Sequence, residues 1–357
     1  MAPENIVTSI VTLKLSVLDL IPVRTGQTSR QAIAASMDLV QKADAWGYHR
    51  YWFAEHHNMP AIASSSPPVL IAAAAGRTER IRLGSGGVML PNHSPLVVAE
   101  QFAALEAIAP GRIDLGIGRA PGSDPVITQL LRRSGTTSEV EQFPQHIEEI
   151  SALTSPAGAT LEFTTGGEYT VRATPAAENE PEIWLLGSSD YSAVLAAKMG
   201  MPYVFAAHFG GEGLQHALST YRTTFVPSER LAKPKTFLTA NASVAPTAEE
   251  AFERAIPQMR TMVKLRTGRP LGPQESIEQS LALNESEGAA AGLELQRRVA
   301  DKWFIGTPDD VRARLLEYAD RYEVDEIMIS PIAGAYEAES LDTSLAREQT
   351  LQLLAPH

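Results

Sequence analysis

The chain contains no cysteine. Disulfides, thiolate-held metals and thiol nucleophiles are excluded together, so any catalytic chemistry must come from other groups. Basic residues are scarce: the formal net charge is −12 at pH 7, and no basic cluster is longer than a pair such as Arg132–Arg133. A surface that tracks nucleic-acid phosphates, or a patch for an anionic membrane, asks for far more positive charge. Long apolar runs are missing as well; none reaches the roughly 18 residues expected of a membrane span. In MAPENIVTSIVTLKLSV no basic region leads into an apolar block, and Lys14 interrupts the stretch. The expectation is a cytoplasmic protein with neither nucleic acid nor membrane as partner. Signature motifs are absent too. There is no G-K-[ST] phosphate loop, no G-x-S-x-G elbow and no H-E-x-x-H, and the glycines of GIGRAPG (116–122) do not fit G-x-G-x-x-G. No metal is expected.

What is present is material for a large core: 357 residues, 44% hydrophobic and 20% charged. Short apolar runs alternate with helical patterns along the whole chain. LKLSVLDL (13–20) precedes a helix over 29–47, for which Ser29 is the expected cap. YHRYWFAE (48–55) precedes one over 67–78, and IRLGSGGVML (81–90) one over 94–111. RIDLGIGR (112–119), EIWLLGSS (182–189), PYVFAAHF (202–209), KTFLTANASVA (235–245) and DEIMIS (325–330) complete a set of eight strands. That rhythm predicts one (β/α)8 TIM barrel occupying 1–357 as a single domain. Two interruptions are expected: an inserted β-hairpin at about 155–180, and a long mobile loop after strand 7. The loop, at about 268–292, is rich in Gly, Pro, Ser and Glu and would serve as a lid.

In such a barrel, ligands bind at the carboxyl ends of the strands. The second strand ends at Glu55-His56-His57, the third just before His93, and the fourth at Gly118-Arg119. The fifth ends at Gly187-Ser188-Ser189 and the sixth at His208. Neighbours on an extended segment point to opposite sides, so only one of His56 and His57 should face the mouth. There it can exchange a proton near neutral pH, with Glu55 orienting it or packing around it. Gly187, Ser188 and Ser189 open a helix and offer N–H groups and hydroxyls to an anion, with Arg119 supplying charge. An ordinary serine cap explains the same residues without a ligand. Gly86-Gly87 within a strand leaves space for a flat ligand against the backbone, or marks a packing bend.

The stretches YHRYWFAEHHN, GRTERIRLGSGGVMLPNHSPLVVAEQFAALEAIAPGRIDLGIGRAPG and LLGSSDYSAVLAAKMGMP resemble the bacterial luciferase-like flavin monooxygenases, in particular their single-chain oxidoreductase subgroup. The likeness runs from the first strand to the sixth, and 307–330 is consistent with it. It implies a TIM barrel that binds reduced FMN (FMNH2), reacts it with O2 and oxygenates a small organic molecule through a flavin C4a-(hydro)peroxide. An NAD(P)H-dependent flavin reductase would supply the cofactor transiently, and the chain would form a homodimer through the helices at 67–78 and 94–108. Carried over by position, His56 is similar to the catalytic base, and Gly86-Gly87 to a cis peptide beneath the flavin ring. Arg119, Ser189 and Ser192 match phosphate contacts, with Gly187 and Ser188 beside them. Arg133 is the candidate for a second phosphate arginine. Glu55, His57, His93 and His208 are assigned to the substrate pocket. Gly118 stands where luciferase can carry a reactive cysteine, so the likeness does not extend to the luciferase aldehyde. Two alternatives share the barrel: a deazaflavin (F420) hydride-transfer enzyme and a non-catalytic flavin-binding protein.

Overall fold

A computed structural model of the chain describes residues 13–120, 125–132, 140–286 and 290–356. The strands are β1 (Lys14–Asp19), β2 (Arg50–Phe53), β3 (Arg82–Met89), β4 (Ile113–Gly118), β5 (Ala159–Glu162), β6 (Glu168–Val171), β7 (Glu182–Gly187), β8 (Tyr203–Phe205), β9 (Thr236–Val244), β10 (Phe304–Gly306) and β11 (Glu326–Pro331). The helices are α1 (Ser29–Ala45), α2 (Pro67–Ala75), α3 (Pro95–Ile108), α4 (Pro125–Arg132), α5 (Phe143–Leu153), α6 (Asp190–Met199), α7 (Leu214–Thr223), α8 (Ala248–Arg266), α9 (Ile277–Ser286), α10 (Ala290–Ala300), α11 (Pro308–Arg321) and α12 (Leu345–Leu354).

Parallel pairing runs β11-β1-β2-β3-β4-β7-β8, and β9 bonds to both β8 and β11, closing a ring of eight strands. This is the (β/α)8 barrel that the alternation predicts. β10 is an extra short strand on the end of β9, and β5–β6 is the inserted antiparallel hairpin. Among the described residues no helix is long and apolar enough to cross a membrane.

The twofold period of the strands sorts the barrel interior into layers. The bottom layer is charged: Arg50 donates to Asp114 at 2.7 Å and to Glu326 at 2.6 Å, and Arg82 reaches Asp114 at 2.9 Å. Burial works against the Arg50 charge, but the facing carboxylates outweigh it and raise its pKa. Two residues up each strand lie Leu18, Trp52, Trp184, Phe237 and Met328, a buried plug. Its rings meet at centroid distances of 4.9 to 5.9 Å. Gly84 admits the Trp52 indole: a Cβ there would come within 2.5 Å of Trp52 Nε1 and 2.7 Å of Asp114 Cβ. Above the plug, Gly86, Gly118 and Leu186 reach the open end.

Several boundaries differ from expectation for local reasons. Thr28, not Ser29, caps α1, in a reciprocal box with Gln31. The segment 268–292 is only partly irregular. Ser276 and Gln279 exchange side-chain and backbone bonds at 3.0 and 3.1 Å, starting α9, and α10 begins at Ala290. Glycine and proline at 268–273 dominate its composition and mask this Ser-x-x-Gln start. The expected strand at 202–209 stops at Phe205, and a 3-10 turn over Ala207–Phe209 follows. On α2 and α3, Ala74, Ala75, Val98 and Ala103 pack into the barrel's own core, which removes them from any dimer face.

Candidate active site

Two cavities open at the carboxyl end of the barrel. The smaller, about 250 Å3, has Glu55, His56, Gly86, Gly87, Arg119, Gly187, Ser188, Ser189, Ser192 and His208 on its wall. Residues from the ends of five different strands thus meet around one space. The Gly86–Gly87 peptide is cis, as the resemblance implies. Gly118 and Ala120 border Arg119 in the same wall.

At one side of this cavity β7 runs into α6. Gly187 is required there, because a Cβ would overlap the Ser192 hydroxyl. Ser189 is the N-cap in extended conformation, yet its side chain makes no capping bond. The hydroxyl and the first-turn N–H groups are left for another acceptor, and helix N-termini favour anions. Arg119 lies across from them with its guanidinium 3.9 Å from the Tyr191 ring centroid. These groups suit a phosphate dianion in charge, donor number and placement. The side-chain-free edge at Gly86-Gly87 suits a flat ring. The residues present therefore fit FMN. Arg133 lies outside the described residues.

On the other side both His56 and His57 line the larger cavity, so the expectation that only one would face the mouth does not hold; β2 ends at Phe53 and the strict alternation ends with it. Glu55 and His57 share one face: His57 Nε2 lies 2.8 Å from Glu55 Oε1, and His93 Nε2 lies 2.7 Å from the same oxygen. The Met89 N–H donates to Oε2 at 3.1 Å. Burial alone would raise the Glu55 carboxyl; the bonds from His57, His93 and Met89 reverse that and bring it down to about 2. A carboxylate and two imidazoles within 4.8 Å of one another have the composition of a cation site. Both imidazole nitrogens, however, are already turned to the same carboxylate oxygen. His56 lines both cavities, beside Glu55 in the smaller and His57 in the larger. His208 is held low, at about 4, by burial and by the neighbouring His56, so it is neutral at physiological pH. Its ring nitrogen Nδ1 meets Thr239 Oγ1 at 2.9 Å.

The larger cavity, about 500 Å3, adjoins the smaller and shares Leu18, Leu20, His56 and Phe209 with it. Of the residues expected around a substrate, His57 lines this cavity, while Glu55 and His208 line the smaller one. His93 is on the wall of neither; it stands behind Glu55. Sequence reading missed Phe209, Tyr191, Gln258, Gln274 and Arg347. Tyr191 lies two residues beyond the flagged Gly-Ser-Ser stretch, and Phe209 follows His208. The other three lie on α8, α12 and an intervening segment, where no local pattern marks them.

The family profile described as luciferase-like monooxygenase matches residues 13–322. A luciferase-like monooxygenase of Escherichia coli (strain K12) is 38% identical over 346 residues, covering 96% of this chain and 98% of that one. An N-acetyl-S-alkylcysteine monooxygenase of Bacillus subtilis (strain 168) is 34% identical, covering 92% and 95%. The crystal structure of apo-MsnO8 superimposes with a TM-score of 0.82 at 31% identity, covering 96% and 97%. The resemblance first read at the strand ends thus extends over the whole barrel, and the chain belongs to the luciferase-like monooxygenases, a family of oxidoreductase enzymes.

Proposed function

We propose that this chain is the oxygenase of a two-component flavin system, taking up reduced FMN and O2 and oxygenating a small organic substrate. The observation that carries the reading is the shared wall of the smaller cavity. Gly86-Gly87, Arg119, the α6 N-terminus and His56 all border one space, with the larger cavity beyond His56. Bound reduced flavin supplies the electrons that activate O2. The chain's own tasks are to bind, orient and keep dry. Arg119, Ser189, Ser192 and the α6 N–H groups would hold the phosphate. Gly86 and Gly87 would lie against the ring. His56 would move a proton at an imidazole nitrogen between the two cavities. Neutral His208 keeps a second charge away from it, and Leu18, Leu20 and Phe209 exclude water at the junction. No nicotinamide-binding glycine motif occurs in the sequence, which favours reduction of the flavin by a separate NAD(P)H-dependent reductase. A second copy of the chain would pair through the outer face of α2 and α3, where Val69, Val97 and Ile108 are exposed. Light scattering at micromolar concentration should then give twice the chain mass.

The test compares two flavins and two variants. Arg119→Ala should weaken FMN by about 10- to 100-fold, the loss of a charge-assisted contact, and change riboflavin by less than about threefold. His56→Ala should bind FMN as wild type does and lose oxygen-dependent substrate turnover by about 100-fold or more. Equal losses for FMN and riboflavin would reject the phosphate site. Undiminished turnover in His56→Ala would remove the histidine from the reaction.

A further inference from the structure

The larger cavity is lined mainly by apolar side chains, and its carboxylate and its guanidinium are paired with each other. Asp19 and Arg347 are both buried in its wall and form an ion pair. Asp19 also accepts from the Tyr51 hydroxyl at 2.5 Å and the Ile21 N–H at 2.7 Å. His57 is engaged by Glu55. Leaving aside the imidazole of His56 at the shared side, no lining group therefore offers an uncompensated charge, and an ionised ligand elsewhere in the cavity would be stripped of water without a free counter-ion.

The wall is nevertheless not featureless. His56 and Phe209 mark the side shared with the smaller cavity; Gln258, Thr261 and Gln274 line only the larger one. Gln274 Nε2 donates to Gln258 Oε1 at 3.1 Å, and the Thr261 hydroxyl donates to the Pro257 carbonyl at 3.0 Å. That orientation leaves the Gln258 NH2 without an acceptor among the described residues.

We propose that this cavity selects an uncharged, largely apolar substrate carrying a neutral hydrogen-bond acceptor. The acceptor sits at Gln258, and the opposite end lies at His56, beside the flavin cavity. This rests on the flavin reading of the smaller cavity for which end reacts, but not for the binding selectivity itself. The competing possibility is an anion drawn to Arg347, whose buried Nε has no acceptor among the described residues. Such an anion would have to share the guanidinium with Asp19, a carboxylate fixed in place by several donors.

The experiment is calorimetric titration of the full chain at pH 7.5 with 1-hexanol, 1-octanol and 1-decanol, and with the carboxylates of equal length. Alkanol affinity should rise about fourfold per methylene, as burial of apolar surface predicts. Each carboxylate should bind at least about thirtyfold more weakly than its alkanol. Gln258→Leu should weaken all alkanols by about fivefold with an unchanged slope, since one neutral hydrogen bond is lost. Leu271→Trp, in the segment before α9, should cut off the longest alkanol first. Carboxylates binding as tightly as alkanols, or affinity independent of chain length, would overturn the proposal. FMN titrations run in parallel separate the two readings. Normal FMN binding with a flat alkanol series refutes the cavity proposal alone. Absent FMN binding with a normal alkanol series refutes the flavin site while supporting the selectivity.

Discussion

Replacing Glu55 by Gln tests the most strongly organised group at the rim. The carboxylate is 1% exposed and holds three partners: His57 at 2.8 Å, His93 at 2.7 Å and the Met89 N–H at 3.1 Å. Its pKa, about 2 against an ordinary 4.5, measures how much the folded protein prefers the ionised form. At about 1.4 kcal/mol per unit the preference amounts to about 3 kcal/mol. Two or three charge-assisted hydrogen bonds, less the desolvation of a buried carboxylate, reach the same order. Because the folded-state pKa is depressed, this contribution is fully present above pH 4.5 and disappears as pH falls toward 2. Urea unfolding followed by tryptophan fluorescence should therefore place Glu55→Gln about 3 kcal/mol below wild type between pH 6 and 8. At pH 3 the gap should narrow to about 1 kcal/mol. A gap that stays constant with pH, or equal stabilities at pH 7, would show that the carboxylate does not anchor these two strand ends.

Two further outcomes are expected. Asp114→Asn leaves Arg50 and Arg82 facing one carboxylate fewer at the barrel bottom and should cost about 3–5 kcal/mol in the same unfolding assay; a loss below about 1 kcal/mol would mean the layer is wetter than its packing implies. His208, lowered to about 4 by burial and His56, should stay neutral in a nitrogen-resolved NMR titration down to about pH 5. Its burial as the neutral form stabilises the fold above pH 6.5 and ceases to do so as pH falls through 4. A midpoint near 6.5 would place the ring in water.

Much of the barrel was legible because strand and helix periods alternate along the chain. The two-residue period was less reliable past the end of β2: it set His56 and His57 on opposite sides, whereas both line the larger cavity. The glycines at 86 and 87 could be singled out as positions where a side chain costs space, whereas Gly187 was read only as a helix-start donor and its contact with Ser192 was not foreseen. What could not be read was pairing across long separations. Glu55 meets His93 from 38 residues away, and Asp19 meets Arg347 across 328. His93 consequently looked like a pocket residue when it is a support for Glu55. α12 escaped notice because its inward residues, Arg347 and Thr350 among them, include polar ones whose partners lie on distant strands. The start of α9 was hidden by composition: six residues of glycine- and proline-rich chain outweighed a two-residue cap.

The layering of the interior explains why the two cavities draw on different parts of the sequence. Arg50, Asp114 and Glu326 tie the bottom of the barrel, and the Trp52, Trp184 and Phe237 plug closes it. Everything above the plug rests on a dense floor that cannot adjust to a ligand without disturbing those rings. The smaller cavity is then built from strand ends and one helix start, elements fixed directly by that floor. The larger cavity takes Gln258, Thr261 and Met262 from α8 and Leu271 and Gln274 from the segment behind it, none of them on a barrel strand. Substitutions on that outer wall change the shape and polarity of the larger cavity while Gly86, Arg119 and Ser192 keep their supports. On the reading proposed above, selectivity can accordingly diverge among chains that share this barrel without any change in how the floor supports the backbone-lined smaller cavity.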